Sequence, residues 1–261
     1  MSGQTDAEPL SWDEWQPRPV GDGDHLWRYM SLAKLFALLG QRKLWFARAD
    51  LFPDKTEGSI PYRAFFDRRK DLEPEFESAH KYAFKDRSLA ETKAALESSI
   101  RRMGERTRAR TYLSCWSLDT AESHLMWLSY APEGVAVQTS ARKIRELLPS
   151  AYKFGRVEYV DFANETLPRE ARSFFAARYW YKPIQFAGEK EVRPGWYNTS
   201  PKPRKRPGIA LDVPDLEDFI EMVIVAPFIG KWLHQTVADA VARYLPGTPV
   251  VPSRLDEERH Y

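Results

Sequence analysis

The sequence predicts an α+β fold, a central split sheet of mixed or antiparallel strands with a helical insertion near residues 62–110. Three observations lead there. Short runs such as "KLWFARA", "GVAVQTS" and "MVIVAP" are rich in β-branched and aromatic residues and bounded by turn formers, the mark of strands. Between them lie amphipathic runs with apolar residues at helical spacing, above all "SLAKLFALLGQ" and "KWLHQTVADAVARYL". The two kinds of segment do not alternate regularly enough for a doubly wound parallel sheet.

Taken in order, residues 1–23 read as an irregular arm punctuated by Pro17, Pro19, Gly21 and Gly23, and residues 24–261 as a single domain. "HLWRYM" begins a strand. Ser31 is placed to cap the helix that follows, and Gly40 to end it. "KLWFARA" is a second strand and "DLFPDKTEGS" a turn-rich loop. Within the insertion, "SLAETKAALESSIRRMGERTRAR" is the clearest helix, with Ser88 and Glu91 in a capping-box pattern. "TYLSCWSL" reads as a strand, "ESHLMWLSYA" as a short helix, "GVAVQTS" as a strand, "ARKIRELLPS" as a helix and "GRVEYVDF" as a strand. "PREARSFFAARYWYK" reads as a helix, "QFAGEKEVRP" as loop into strand, and "NTSPKPRKRPG" as a basic proline-rich loop. "GIALDV" and "MVIVAP" are strands, "KWLHQTVADAVARYL" a helix and "TPVVPSRL" a last strand. That makes about eight or nine short strands and no internal repeat.

Composition narrows the function classes. With 261 residues, 43% of them hydrophobic and 13% aromatic, the chain has the means to bury a substantial core. A net charge of +2 does not by itself argue for nucleic acid or an acidic membrane. The one cysteine, Cys115, rules out an intrachain disulfide, disfavours a cysteine-based zinc site and fits a reducing cytosol. No apolar run reaches the roughly 20 residues that cross a bilayer, and the acidic, polar start is unlike a signal peptide. A cytoplasmic protein is expected, with no membrane partner.

Several familiar signatures are absent: no G-x-x-x-x-G-K-[ST], no G-x-G-x-x-G, no H-E-x-x-H and no G-x-S-x-G. The five histidines show no metal-ligand spacing, so no metal site is expected from them. Three stretches stand out instead. The first is "LWRYMSLAKLFALLGQRKLWFARADLFPDKTEG", with Arg28, Tyr29 and Ser31 at its first junction. The second is "TYLSCWSLDTAESHLMWLSYAPEGVAV", which gathers Ser114, Trp116, Ser117, Trp127 and Tyr130. The third, "EKEVR", carries Glu189, Glu191 and Arg193. Residues two apart on a strand point to one face, so Glu189 and Glu191 are expected to enter one cleft together.

These stretches resemble a mainly bacterial family, domain of unknown function 2971. Its members share an R/K-Y start, an F-N-D-P-F-E loop, an S-C-F-S strand, an M-W-x-x-Y-A segment followed by G-V, and a late E-x-E-x-R. Here they read "WRYMS", "LFPDKTE", "LSCWS", "LMWLSYAPEGVAV" and "EKEVR", with "VIVAP" and "VVPSRL" near the end, over about residues 25 to 256. The loop departs from the pattern at Phe52-Pro53-Asp54, though Asp54 and Glu57 remain. That family name implies no assured activity. A second resemblance, in motif order, is to ADP-ribosyltransferases: an Arg or His on a first strand, a serine-centred middle strand and a late E-x-E. The order here is Arg28, then Ser114 or Ser117, then Glu191.

The second resemblance implies an ADP-ribosyltransferase-like fold, NAD as substrate, and a nucleic-acid or protein acceptor, in a bacterial defence or toxin-like setting. Cleaving the nicotinamide–ribose bond builds positive charge on the sugar, and a carboxylate beside it stabilises that transition state. Glu191 takes that role, Glu189 orients or deprotonates the acceptor, and Arg28 holds the pyrophosphate or ribose. Tyr29, Ser31, Ser114, Tyr130 and Arg193 supply polar contacts, and Trp116 or Trp127 an aromatic wall. Two other readings stay open. Asp54, Glu57, Glu189 and Glu191 form a carboxylate set for a metal-dependent nuclease. Alternatively, the "PKPRKRPG" loop and the basic run at 68–70 serve a non-enzymatic nucleic-acid-binding module.

Overall fold

The computed structural model describes residues 12–54, 57–59, 77–78, 81–82, 88–165, 167–168, 171, 174–201, 206–227 and 229–256. Most of the expected insertion before residue 88, the 68–70 run, the centre of the basic loop at 202–205 and the first eleven residues lie outside these.

Twelve strands are present among the described residues, more than the sequence suggests, and ten of them form one sheet. The excess arises because "TYLSCWSL" breaks into β3 (Thr111–Leu113) and β4 (Trp116–Leu118), "GRVEYVDF" breaks into β6 (Lys153–Arg156) and β7 (Glu158–Val160), and a further strand, Tyr181–Pro183, lies where a helix was expected. The others are β1 (His25–Ser31), β2 (Lys43–Arg48), β5 (Gly134–Ser140), β8 (Tyr181–Pro183), β9 (Glu191–Tyr197), β10 (Gly208–Asp212), β11 (Met222–Val225) and β12 (Val250–Pro252).

The sheet is split, and its register shows how. β3 and β4 pair with β9 in one continuous antiparallel register, Thr111 opposite Tyr197 and Ser117 opposite Glu191. Between them Ser114 N donates to Pro194 O, so the two halves behave as one interrupted strand. On the opposite edge of that strand, β2 pairs only with the β3 half and β1 only with the β4 half. One wing continues from β2 to β10, the other from β1 through β5 and β11 to β12. The β11–β12 pair is parallel, making the sheet mixed. β6 covers the remaining edge of β9. A second, two-stranded parallel sheet joins β7 to β8, with Tyr159 opposite Lys182.

Both faces of the large sheet are covered, which is why β1 is buried at consecutive positions, Leu26 with Trp27 and Tyr29 with Met30, instead of at alternate ones. Leu26 and Met30 face a core closed by α1 (Leu32–Gln41) and α6 (Lys231–Tyr244), through Leu35, Leu38, Leu39, Leu233, Val237 and Val241. Trp27 and Tyr29 face a smaller core with Met126 and Trp127 of α3 (His124–Tyr130). The amphipathic spacing of α1 is as the sequence predicts, but its end is not. Gly40 lies inside the helix, and Arg42 takes the left-handed capping conformation at φ 51°. Ser31 occupies the capping position without a side-chain capping bond. In α2 (Leu89–Arg108), Ser88 and Glu91 close both halves of the capping box. α4 (Ala141–Leu147) and the single turn α5 (Leu216–Phe219) complete the helices that matter here.

The stretch expected to be helical around "FFAARYWYK" is a 3₁₀ turn, Phe175–Trp180, running into β8. Tyr179, Trp180 and Tyr181 are all buried in succession. An α-helix would spread three consecutive rings over faces about 100° apart and expose at least one. A tight turn into a strand buries all three. Residues 12–23 are irregular, yet they are packed: Trp12 stacks on Trp15, and Trp15 lies edge-on to Trp180 at 5.4 Å. An isolated bridge joins Arg18 to Arg156 of β6.

Candidate functional site

The broken strand and β9 carry a buried charged cluster on one face. Val192 points into the main core. Alternation sends Glu191 and Arg193 to the other side. There Arg193, 1% exposed, makes five hydrogen bonds. Its Nε and Nη2 donate to the two oxygens of Glu191 at 2.8 and 2.7 Å. Nη2 also reaches Glu57 Oε2 at 3.0 Å, while Nη1 donates to Glu57 Oε1 and to Tyr179 O. This is the planar fork used at full capacity. Glu57, 3% exposed, is brought in by the tight turn at Gly58, whose φ of +70° and closeness to the Tyr179 ring leave no room for a side chain.

Lys182 supplies the second cation. From β8 its Nζ donates to Glu189 Oε2 at 2.6 Å and Glu191 Oε2 at 3.4 Å, and it lies 4.6 Å from the centre of the Phe186 ring. Its neighbour in the small sheet, Tyr159, accepts from Glu191 N at 2.8 Å. Tyr130, at the end of α3 and 49% exposed, donates its hydroxyl to Glu189 Oε1 at 2.7 Å. The cluster therefore runs from buried Glu57 through Arg193, Glu191, Lys182 and Glu189 to a phenol at the surface.

Glu189 and Glu191 do meet, but not as two positions of one strand. Glu189 ends a 3₁₀ turn (Ile184–Glu189), Lys190 takes a left-handed conformation at φ 45°, and Glu191 opens β9. Lys190 points away and pairs with Asp119 at 2.8 Å. Ser117 Oγ anchors the turn by donating to Glu189 O at 2.8 Å. The left-handed residue does what strand alternation was expected to do.

Electrostatics follow from this packing. Burial alone would raise the Glu191 pKa, but Arg193 and then Lys182 outweigh it and hold the carboxyl at about 2, below the ordinary 4.5. Burial likewise opposes the charge on Arg193, and Glu191 with Glu57 overcomes it, pushing its pKa up. Burial, then the bond and charge of Glu189, raise the Tyr130 phenol far above its usual range. Cys115 sits at the break between β3 and β4, donating to Glu191, and burial pushes its thiol well up.

The other expected site residues are placed elsewhere. Arg28 projects from β1 to the same face as Leu26 and Met30, opposite to Glu191. It bridges the split by donating to Trp45 O of β2 at 3.2 Å and stands 5.7 Å over the Trp116 ring. Burial lowers its pKa to about 10. Tyr29 accepts from Ser123 N at 2.7 Å, and burial pushes its hydroxyl up to about 12. Ser114 accepts from Trp116 Nε1 at 3.2 Å within the core. Trp116 and Trp127, at 2% and 1% exposure, pack in opposite cores and present no open ring face. Ser31 is exposed at the head of α1. The carboxylate set drawn for a metal meets the structure only in part. Glu57, Glu189 and Glu191 converge, but Arg193 and Lys182 already occupy their oxygens. Among the described residues no three His, Cys, Asp or Glu side chains are grouped as metal ligands.

No family model and no curated protein matches the chain, so the likeness to domain of unknown function 2971 rests on the quoted motifs alone. Among solved structures, Thermus sp. 2.9 DarT in complex with ADP-ribosylated ssDNA matches at 11% identity, covering 92% of this chain and 99% of that one, with a TM-score of 0.39. The same protein in complex with carba-NAD+ matches at 12% identity, covering 91% and 98%, also at 0.39. At that level of superposition the likeness decides neither fold nor activity. Among the described residues, no helix is long and apolar enough to cross a membrane.

Proposed function

We propose that the chain cleaves NAD and transfers ADP-ribose, with Glu191 as the carboxylate beside the reacting sugar. One observation carries this reading: Glu191 is held ionised between Arg193 and Lys182, at the point where the sheet splits, next to a second carboxylate that reaches the surface through Tyr130. An oxocarbenium-like transition state gains most from a fixed anion in a site of low dielectric constant. Glu191 is such an anion, and its two cations fix its orientation without neutralising it by protonation. Glu189, nearer solvent, is suited to receive the proton of an acceptor hydroxyl or amine, from nucleic acid or protein, with Tyr130 marking the entry side. Arg28 lies on the opposite face of the sheet, over the Trp116 ring, and is assigned a diphosphate and not the ribose beside Glu191.

The test is nicotinamide release from NAD by wild type and Glu191→Gln, with and without single-stranded nucleic acid. Release by wild type and a loss of at least about 100-fold in the variant is expected for removal of a transition-state charge. Wild type that neither binds NAD nor releases nicotinamide sinks the reading. Salt-sensitive nucleic-acid binding without turnover would then favour the binding module.

A further inference from the structure

We propose that Lys182, which no sequence motif singled out, is a positioning residue that locks Glu189 beside Glu191 so that both carboxylates act on one substrate. The proposal rests on the reading of Glu191 given above, but its geometry can be tested apart from turnover.

The first ground is charge balance. Three carboxylates, Glu57, Glu189 and Glu191, face two cations, Arg193 and Lys182. Arg193 gives its side-chain donors to Glu191, Glu57 and Tyr179 O, and none to Glu189. Among the described residues, the ion pair of Glu189 is with Lys182, its other side-chain bond being from Tyr130. Without the ammonium, Glu189 keeps the Tyr130 hydroxyl but has no paired cation among the described residues to offset its repulsion with Glu191.

The second ground is placement. Lys182 is 5% exposed. Its partners follow seven and nine residues later in the chain, one on a 3₁₀ turn and one on a strand, across a left-handed residue. Such a junction does not fix two side chains relative to each other by backbone geometry alone. The bridging ammonium does. The Phe186 ring against Nζ holds the lysine head in place. The third ground is cost. A buried lysine bridging two carboxylates loses its hydration and is a poor way to gain stability, since apolar replacements are often neutral or better. A cluster of perturbed ionisable groups of this kind points to function.

The experiment combines kinetics with crystal structures for Lys182→Gln, Lys182→Arg, Glu189→Gln and the Lys182→Gln/Glu189→Gln double variant. For Lys182→Gln the crystal structure is expected to show the Glu189 carboxylate swung away from Glu191. Nicotinamide release is expected to lose about 100-fold in kcat, the scale of a displacement of about 1 Å at a catalytic group, with KM for NAD little changed. Lys182→Arg, keeping the charge, is expected to keep the carboxylates paired and most of kcat. The double variant is expected to be no slower than the worse single variant, because both changes break one unit. Glu189 and Glu191 still side by side in Lys182→Gln overturns the proposal, and so do additive losses in the double variant or an equal loss in Lys182→Arg. If Lys182→Gln does not fold, Lys182→Arg with Glu189→Gln decides: full loss in Lys182→Arg with intact pairing overturns it, and retained kcat supports it. If wild type releases no nicotinamide, the reading of Glu191 fails, and the crystal structures still decide whether Lys182 locks the pair.

Discussion

At the scale of single residues, the charged cluster ties acid stability to Glu191. Its pKa in the folded protein, about 2, lies below the ordinary 4.5, so ionised Glu191 favours the fold. That contribution is fully present above about pH 4.5 and is lost as pH falls toward 2. Glu191→Gln is therefore expected to flatten the dependence of the urea midpoint on pH in that window. A slope identical to wild type would mean that Arg193 and Lys182 do not hold the carboxylate as described. The sequence made part of this legible. Two glutamates one residue apart, with an arginine after them, are visible in "EKEVR". Glu57 was visible only as one of a proposed metal set, because its arginine lies 136 residues further along the chain. Lys182 was hidden in an aromatic stretch read as a helix; the signal that could have found it is a cation set between the aromatic run "YWY" and Pro183.

At the scale of elements, the turn at Gly58 bears on the site as much as β9 does. A Cβ there would stand 2.5 Å from the Tyr179 ring, at a φ that L side chains rarely adopt. Gly58→Ala is expected to cost about 1–3 kcal/mol in urea unfolding, from overpacking together with backbone strain. It should also lower nicotinamide release, because Glu57 sits on the same turn. Unchanged stability would show that the turn relaxes freely. Helix positions were legible because apolar spacing survives tertiary context, as in α1 and α6. Helix ends were less so: Arg42, not Gly40, takes the left-handed cap, since propensity for that conformation is a preference that packing overrides. The two interrupted strands were read as whole because Ser114, Cys115 and Val157 break the ladder without any glycine or proline to announce it.

At the scale of the molecule, the irregular segment from Trp12 to Gly23 is a packed part of the body. Trp15, 4% exposed, closes the small core against Trp180, whose indole donates to Arg193 O at 3.2 Å. Trp15→Ala is expected to destabilise the protein by about 3–5 kcal/mol, as removal of a buried indole does, seen as a lower Tm. A change under about 1 kcal/mol would instead fit a surface arm with no buried role. The split sheet was legible in outline, since many short strands and irregular alternation exclude a doubly wound fold. Which strand carries both wings was not. It depends on β9 pairing with β3 and β4 in one register, a long-range relation that local patterns do not encode.

The left-handed turn at Lys190 has a bearing on how this chain can vary. The side chain there points outward to Asp119 and contributes little that is specific, while the backbone angle is what brings the carboxylates on either side within reach of Lys182. A randomised library at this one codon would thus return glycine, asparagine and aspartate among its survivors and reject valine, isoleucine and threonine, whose branched side chains resist that angle. The middle letter of the E-x-E signature is, in this fold, a constraint on shape and not on charge.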